Sequence, residues 1–140
     1  MRILITAGPT REPLDPVRFL TNRSSGKMGY AMAHAFQHAG HSVLLVSGPT
    51  ALDLPDGVDF IPVETAADMH EAVGHAIGRM DIAVFAAAVA DYTPATAAAR
   101  KIKKSDCTLT LELVRTPDIL GSAREPFGFT GTLIGFAAET

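Results

Sequence analysis

Arg11, Glu12, Asp15, Arg18, Asn22, Arg23, Ser24, Ser25 and Lys27 crowd the stretch between the first apolar run of the chain and its first helical run. That stretch wanders for about fifteen residues, and loops of such length inside a compact domain are uncommon and usually functional. Guanidinium, ammonium, amide and hydroxyl donors at this density suit an anionic ligand. The position points the same way. A strand-to-helix junction at the carboxyl edge of a sheet offers free backbone N–H groups and the positive end of a helix dipole.

A second basic set is Lys101-Ile102-Lys103-Lys104. In an extended segment Lys101 and Lys103 share one face and Ile102 takes the other. Two ammonium groups on such an arm can close over a polyphosphate as point charges, and a solvated charge run is the alternative. Ala86-Ala87-Ala88-Val89-Ala90-Asp91 joins small residues to a carboxylate. Either a ligand approaches the backbone there, or the small residues fit a tight helix–sheet contact and Asp91 is a cap or turn residue.

Other chemistries find less support. No G-x-G-x-x-G lies between Gly8 and Gly26, and the second strand ends in Ser47-Gly48 with no acidic residue placed for a ribose, which argues against a dinucleotide site. Ser24-Ser25-Gly26-Lys27 is not a P-loop, because Lys27 is followed by Met28 and Thr21 stands where the first glycine belongs. His34 and His38 are one helical turn apart without a carboxylate to complete a zinc set. His70 and His75 are five residues apart, which rotates them off a common face. All five histidines read as solvated surface residues. Cys107 is the only cysteine, so an internal disulfide is excluded, and it reads as incidental.

The elements that must position these groups follow from apolar patterning. Strands are expected at residues 3–7, 42–46, 58–63, 81–90, 109–114 and 133–137. Helices are expected at 26–39, capped by Ser24 or Ser25 and closed by Gly40, and from a capping box at Thr65-Ala66-Ala67-Asp68 to about Met80. A short helix is expected within 116–123. Strands alternating with helices predict a three-layer, Rossmann-like α/β fold with a mostly parallel central sheet. Residues 93–108, small residues running into the basic cluster, read as a flap-like arm. With 140 residues, 47% hydrophobic and 19% charged, the chain fits a single ordered domain. A net charge of −3 gives no global field for nucleic acid or a membrane surface, and the scarcity of aromatics argues against base-stacking platforms. No leader or membrane span is expected, because Met1-Arg2 runs straight into a short strand, and the protein reads as soluble and cytoplasmic.

Several segments together resemble the phosphopantothenoylcysteine synthetase family, the ligase step of coenzyme A biosynthesis. They are ITAGPTREPLDPVRFLTNRSSGKMG (residues 5–29), AAVADY (87–92), KIKK (101–104), TPDIL (116–120) and GFAAET (135–140). They stand in the family's order and span essentially the whole chain. The resemblance implies that 4'-phosphopantothenate is joined to L-cysteine with a nucleotide, CTP in most bacterial members and ATP in eukaryotic ones. Base reading through backbone groups leaves that choice open; CTP is expected here. The substrate carboxylate attacks the α-phosphate, giving an acyl-cytidylate and pyrophosphate, and the cysteine amine then displaces CMP. Both steps crowd negative charge and call for cations and directed donors.

Carried onto this chain, the resemblance places Asn22 on the phosphopantothenoyl carboxylate or acyl-phosphate, with Arg18 beside it steadying substrate or intermediate. Gly8, Ser24, Ser25 and Gly26 would shape the loop and offer donors at the helix start. Ala87 and Asp91 would line the nucleotide, Asp91 at its ribose or metal side, and Lys101 would act in catalysis. Pro117, Asp118 and Ile119 would read the base, and Phe136 would wall it. Mg²⁺ is implied by the nucleoside triphosphate, with no ligands assigned. A homodimer is implied as well. In many bacterial members a flavin-dependent decarboxylase precedes this domain; with Met1 directly before the first strand, it is expected as a separate partner acting on the product. The family's domain normally continues past GFAAET with further basic residues, so residues 1–140 are expected to lack that continuation. An incomplete or non-catalytic nucleotide-binding module is the alternative reading.

Overall fold

The computed structural model describes residues 1–105 and 107–137; Ala138, Glu139 and Thr140, the end of the GFAAET segment, lie outside the described residues. In chain order the elements begin with strands β1 (Arg2–Ala7), β2 (Arg11–Asp15) and β3 (Arg18–Thr21), then helix α1 (Lys27–His38) and strands β4 (Ser42–Ser47) and β5 (Asp59–Pro62). Helix α2 (Ala66–Ala76) runs into a 3₁₀ turn at Ile77–Arg79. Strands β6 (Ile82–Phe85), β7 (Tyr92–Pro94) and β8 (Leu113–Arg115), helix α3 (Ile119–Ser122) and strand β9 (Thr132–Gly135) complete it.

Five strands form one parallel sheet in the order β5-β4-β1-β6-β9, and β2-β3 and β7-β8 are separate antiparallel pairs. Strand β1 is the centre, and its alternating residues feed two cores. Ile3, Ile5 and Ala7 pack with Tyr30 and Ala33 of α1 and with Val43, Leu45 and Val84. Leu4 packs on the other face with Met69 and Val73 of α2 and with Val46, Ile77 and Ala83. Each fully buried aliphatic side chain contributes about 1.5–3 kcal/mol, so this double-sided strand anchors all three layers. Gly29 lets α1 lie close on β1: a Cβ there would sit 2.4 Å from the Ala7 Cβ.

The three-layer reading holds, and several local expectations are corrected. The wandering stretch after β1 is a hairpin, β2-β3, turning at Asp15-Pro16. Helix α1 starts from Gly26 in the left-handed region (φ 76°) with no side-chain cap, so neither Ser24 nor Ser25 caps it. Glycine is required there, since a Cβ would also press on Thr50 Cγ2 at 2.7 Å. The capping box is present: Thr65 Oγ1 accepts from the Asp68 N–H, and Asp68 accepts from the Thr65 N–H at 2.9 Å. The strand expected at 81–90 ends at Phe85, because residues 86–90 bond to threonine hydroxyls and to the β1 turn instead of a ladder. The strand expected at 109–114 shrinks to Leu113–Arg115 and pairs with Tyr92–Pro94, so the arm begins after Pro94.

The turns after β1 and β4 interlock. Gly8 adopts φ 70°, and a Cβ on Gly48 would fall 1.8 Å from the Pro9 carbonyl oxygen. Nothing at that contact is a flexible side chain, so the backbone itself must move. Gly48→Ala should therefore cost about 1–3 kcal/mol, read as a lowered urea midpoint at unchanged slope. A midpoint equal to that of the parent chain would contradict this close approach.

Candidate functional site

The carboxyl ends of β1 and β6 lie side by side at the point where the strand order reverses, where open α/β sheets commonly bind ligands. In this chain the two strand ends stay tied after the sheet stops. Pro9 and Ala88 form a parallel bridge, with the Ala88 N–H donating to the Gly8 carbonyl at 2.9 Å and the Thr10 N–H to the Ala88 carbonyl at 3.2 Å. Two buried threonines reinforce the seam: Thr6 Oγ1 accepts from the Ala87 N–H (3.3 Å) and Thr10 Oγ1 from the Ala90 N–H (2.9 Å). The usual crevice is closed along this line, and a depression lies on each side.

On the β6 side is a cleft of about 740 Å³ lined by Ala87, Asp91, Pro117, Asp118, Ile119 and Phe136, together with Thr6, Phe85, Val89, Arg115 and neighbours. All the residues assigned to nucleobase and ribose contacts meet here, from three separate stretches of chain. Thr116 joins two of them, its Oγ1 donating to the Ala90 carbonyl at 2.6 Å and its N–H to the Asp91 carbonyl at 3.0 Å. Asp118 Oδ1 caps α3, accepting from the Gly121 N–H at 2.8 Å, and its carbonyl accepts from the Ser122 N–H and Oγ, while the residue stays exposed in the cleft. Asp91 and Phe136 are exposed within the cleft.

On the hairpin side a depression of about 550 Å³ is lined by Asn22, Ser24, Ser25 and Lys27, with Arg11 and Phe19 on its hairpin wall. The Arg11 guanidinium lies 4.6 Å over the Phe19 ring. Ser24 Oγ accepts from the Gly26 N–H at 3.3 Å. Asn22 sits on the seam itself: its Nδ2 donates to the Ala88 and Val89 carbonyls, both at 3.1 Å. Two carbonyl acceptors fix which amide atom is the nitrogen. They also occupy both donors that the sequence reading reserves for a carboxylate. Gly8 and Gly26 lie under this depression, each held to glycine by its backbone and by the contact with residues 48–50.

Lys101 lines neither depression. Its segment lies on the tip of the hairpin, where Arg18 and Asp15 hold it. Arg18 is four residues along the strand from Asn22, about 13 Å at strand rise, so the structure does not bring the two together. The Arg18 guanidinium donates through Nε and Nη2 to Asp15 Oδ2 and through Nη2 to the Ile102 carbonyl (2.7 Å), while the Ile102 N–H donates to Asp15 Oδ2 (3.0 Å). Asp15 is 5% exposed. The Arg18 guanidinium holds its carboxyl far below the ordinary carboxylate range, against the opposing effect of burial and with help from the N–H groups of Val17 and Ile102.

Sequence reasoning missed the structural acids of the hairpin. Glu12 is 2% exposed and accepts from the Ala66 N–H (2.8 Å) at the start of α2, pinning hairpin to helix. For Asp15 the Asp-Pro dipeptide was the available turn signal, and its Oδ1 indeed accepts from the N–H groups of Val17 and Arg18. Among the histidines, His70 is half-buried rather than solvated: it bonds Ser122 Oγ at 3.0 Å and packs on Phe127. Among the described residues no group of three or more His, Cys, Asp or Glu is placed to hold a metal, and no helix is long and apolar enough to cross a membrane. Cys107 is free and exposed.

The chain matches the DNA/pantothenate metabolism flavoprotein C-terminal domain family over residues 1–140. It is 55% identical over 139 residues to the coenzyme A biosynthesis bifunctional protein CoaBC of Bacillus subtilis, covering 99% of this chain and 34% of that protein. The Escherichia coli protein of the same name is 47% identical over 143 residues, 100% of this chain and 35% of its own length. The chain thus spans about a third of these curated relatives. A crystal structure of the C-terminal domain of a CoaBC protein superposes with TM-score 0.85 at 51% identity, covering 99% of this chain and 65% of that one. At 19% identity, a Cab2 variant in complex with phosphopantothenate-cysteine superposes with TM-score 0.76 over 90% of this chain and 60% of its own, and shares the fold.

The depressed Asp15 carboxyl carries a stability signature. Its folded pKa lies below its unfolded value, so the stabilisation is fully present above about pH 4 and is lost as pH falls through and below that value. Asp15→Asn should lower the Tm at neutral pH and flatten its acid decline. An acid limb of unchanged steepness in a folded Asp15→Asn variant would contradict the assignment.

Proposed function

Because the chain belongs to the DNA/pantothenate metabolism flavoprotein C-terminal domain family, we propose that it carries the ligase site of coenzyme A biosynthesis that joins 4'-phosphopantothenate to L-cysteine at the expense of CTP. One observation carries this reading: Ala87, Asp91, Pro117, Asp118, Ile119 and Phe136 line a single cleft at the strand-reversal edge. The nucleotide lies in that cleft, its base against Phe136 and the backbone of 117–119 and its ribose toward Asp91. Its phosphates then lie at the boundary with the Asn22 depression, which takes the pantothenoyl end. Lys27, Arg11 and the α1 N-terminus, whose first turn holds no acidic side chain, suit an anionic group there.

In the first step the substrate carboxylate oxygen bonds to the α-phosphorus, and the bond to the pyrophosphate oxygen breaks. In the second the cysteine amine bonds to the acyl carbon, the C–O bond to CMP breaks, and the amine loses a proton. Asn22 meets the reacting carboxylate by exchanging one of its carbonyl acceptors for a charged one, a stronger hydrogen bond. Arg18 makes no hydrogen bond through Nη1 among the described residues, which leaves that edge for a substrate oxygen. Mg²⁺ would neutralise triphosphate charge; two exposed carboxylates in the cleft, Asp91 and the helix-capping Asp118, fit the mode in which phosphates supply most of the ligands. Exposed Val17, Phe19, Leu113 and Val114 provide apolar surface for a homodimer, and the product would pass to a flavin-dependent decarboxylase.

The test is pyrophosphate release from CTP and 4'-phosphopantothenate. Lys101→Gln should leave the fold intact and lower turnover by about 10²–10³, the usual effect of losing one charge-stabilising donor. Parent-level turnover in that variant would remove Lys101 from the reaction. CTP binding with no pyrophosphate from the parent chain would favour a non-catalytic nucleotide-binding module instead.

A further inference from the structure

The Ile102 peptide lies between two side chains that read both of its polar groups. Its N–H donates to Asp15 Oδ2 at 3.0 Å, and its C=O accepts from Arg18 Nη2 at 2.7 Å. In an extended segment the N–H and C=O of one residue lie along the same edge, as in a hydrogen-bonded pair of an antiparallel ladder. An ion pair thus takes the place of a strand partner. We propose that Asp15 is the positioning residue for Lys101: with Arg18 it clips the arm at Ile102 and fixes where the neighbouring lysines stand.

Register makes the clip specific. Lys101 and Lys103 flank the held residue, so each Cα lies one peptide, about 3.8 Å, from a fixed point. Ile102 is half-buried while Lys101, Lys103 and Lys104 are exposed, which keeps the ammonium groups free. Because the contact uses only main-chain groups of Ile102, no side chain on the arm is consumed in holding it. The anchor is itself well held: four hydrogen bonds from Val17 and Arg18 converge on the Asp15 carboxylate before the arm adds its own. Elsewhere the arm returns to the hairpin through the Ala98 N–H on the Leu14 carbonyl at 2.9 Å, leaving Ile102 as the hold nearest the lysines.

The inference rests on the proposed role of Lys101, and its test separates the two. Amide exchange at Ile102 is followed in Asp15→Asn, and tryptic cleavage after Lys104, a bond that a proline at position 102 does not block, in Asp15→Asn and in Ile102→Pro, which removes the donated N–H and keeps the ion pair. Cleavage should quicken about tenfold in both variants, the factor expected for one charge-assisted hydrogen bond, and Ile102 exchange likewise in Asp15→Asn. Exchange at Leu4 and Ile5 in β1, which follows global stability, should stay at the parent rate in Ile102→Pro. Parent-rate cleavage in folded Ile102→Pro would overturn the clip whether or not Asp15→Asn folds. In the ligase assay, Asp15→Asn combined with Lys101→Gln should be no slower than Lys101→Gln alone. Multiplying losses would mean that Asp15 serves the fold only, and would overturn the positioning role. A parent chain without ligase activity would defeat the proposed reaction and leave the clip to be decided by exchange and cleavage.

Discussion

In an open parallel sheet the strands beside the reversal point usually part at their carboxyl ends, and the gap between them takes the ligand. Here β1 and β6 are held together past their ends by the Pro9–Ala88 bridge and by the hydroxyls of Thr6 and Thr10. Thr10 is fully buried, and its carbonyl also accepts from Thr21 Oγ1 at 2.6 Å, so the same residue ties seam to hairpin. This continuation explains why small residues follow β6. Their main chain is threaded between threonine hydroxyls and the β1 turn. It also explains why the site is two depressions with Asn22 between them, its amide pinned across the seam.

The hairpin shows how charge can be buried to build a platform. Glu12 and Asp15 are nearly inaccessible, and an unpaired buried carboxylate would be strongly destabilising. Each is satisfied by hydrogen bonds: Glu12 by the first turn of α2, remote in sequence, and Asp15 by its neighbours Val17 and Arg18 and by the distant arm. The hairpin is therefore joined to the sheet layer at one end and to the arm at the other.

The layers of the fold were legible because they rest on local pattern: short continuous apolar runs, a Thr65–Asp68 capping box, and glycine punctuation. The hairpin was not, because Pro13 and the charges of β2 contradict ordinary strand composition, and the partner that makes burial of Glu12 tolerable lies more than fifty residues away. The end of β6 was misjudged because an apolar run does not reveal where its hydrogen bonds go; two threonines decided that. For the site, the residues assigned to base and ribose meet in one cleft, whereas Ser24 and Ser25, expected at the same nucleotide with Gly8 and Gly26, line the other depression and Lys101 lines neither. The resemblance sets Arg18 beside Asn22, and the length of β3 separates them. What sequence could not show is that Arg18, Asp15 and Ile102 meet, since that contact uses a main-chain group which any residue would present.

The division of the edge by the seam is tested most directly by amide chemical-shift mapping with each ligand in turn. CTP should move the amides of Ala87, Asp91 and Ile119, and 4'-phosphopantothenate those of Asn22, Ser24 and Lys27, with overlap confined to residues 88–89. CTP shifts concentrated at Asn22 to Lys27, with residues 117–119 silent, would contradict the account.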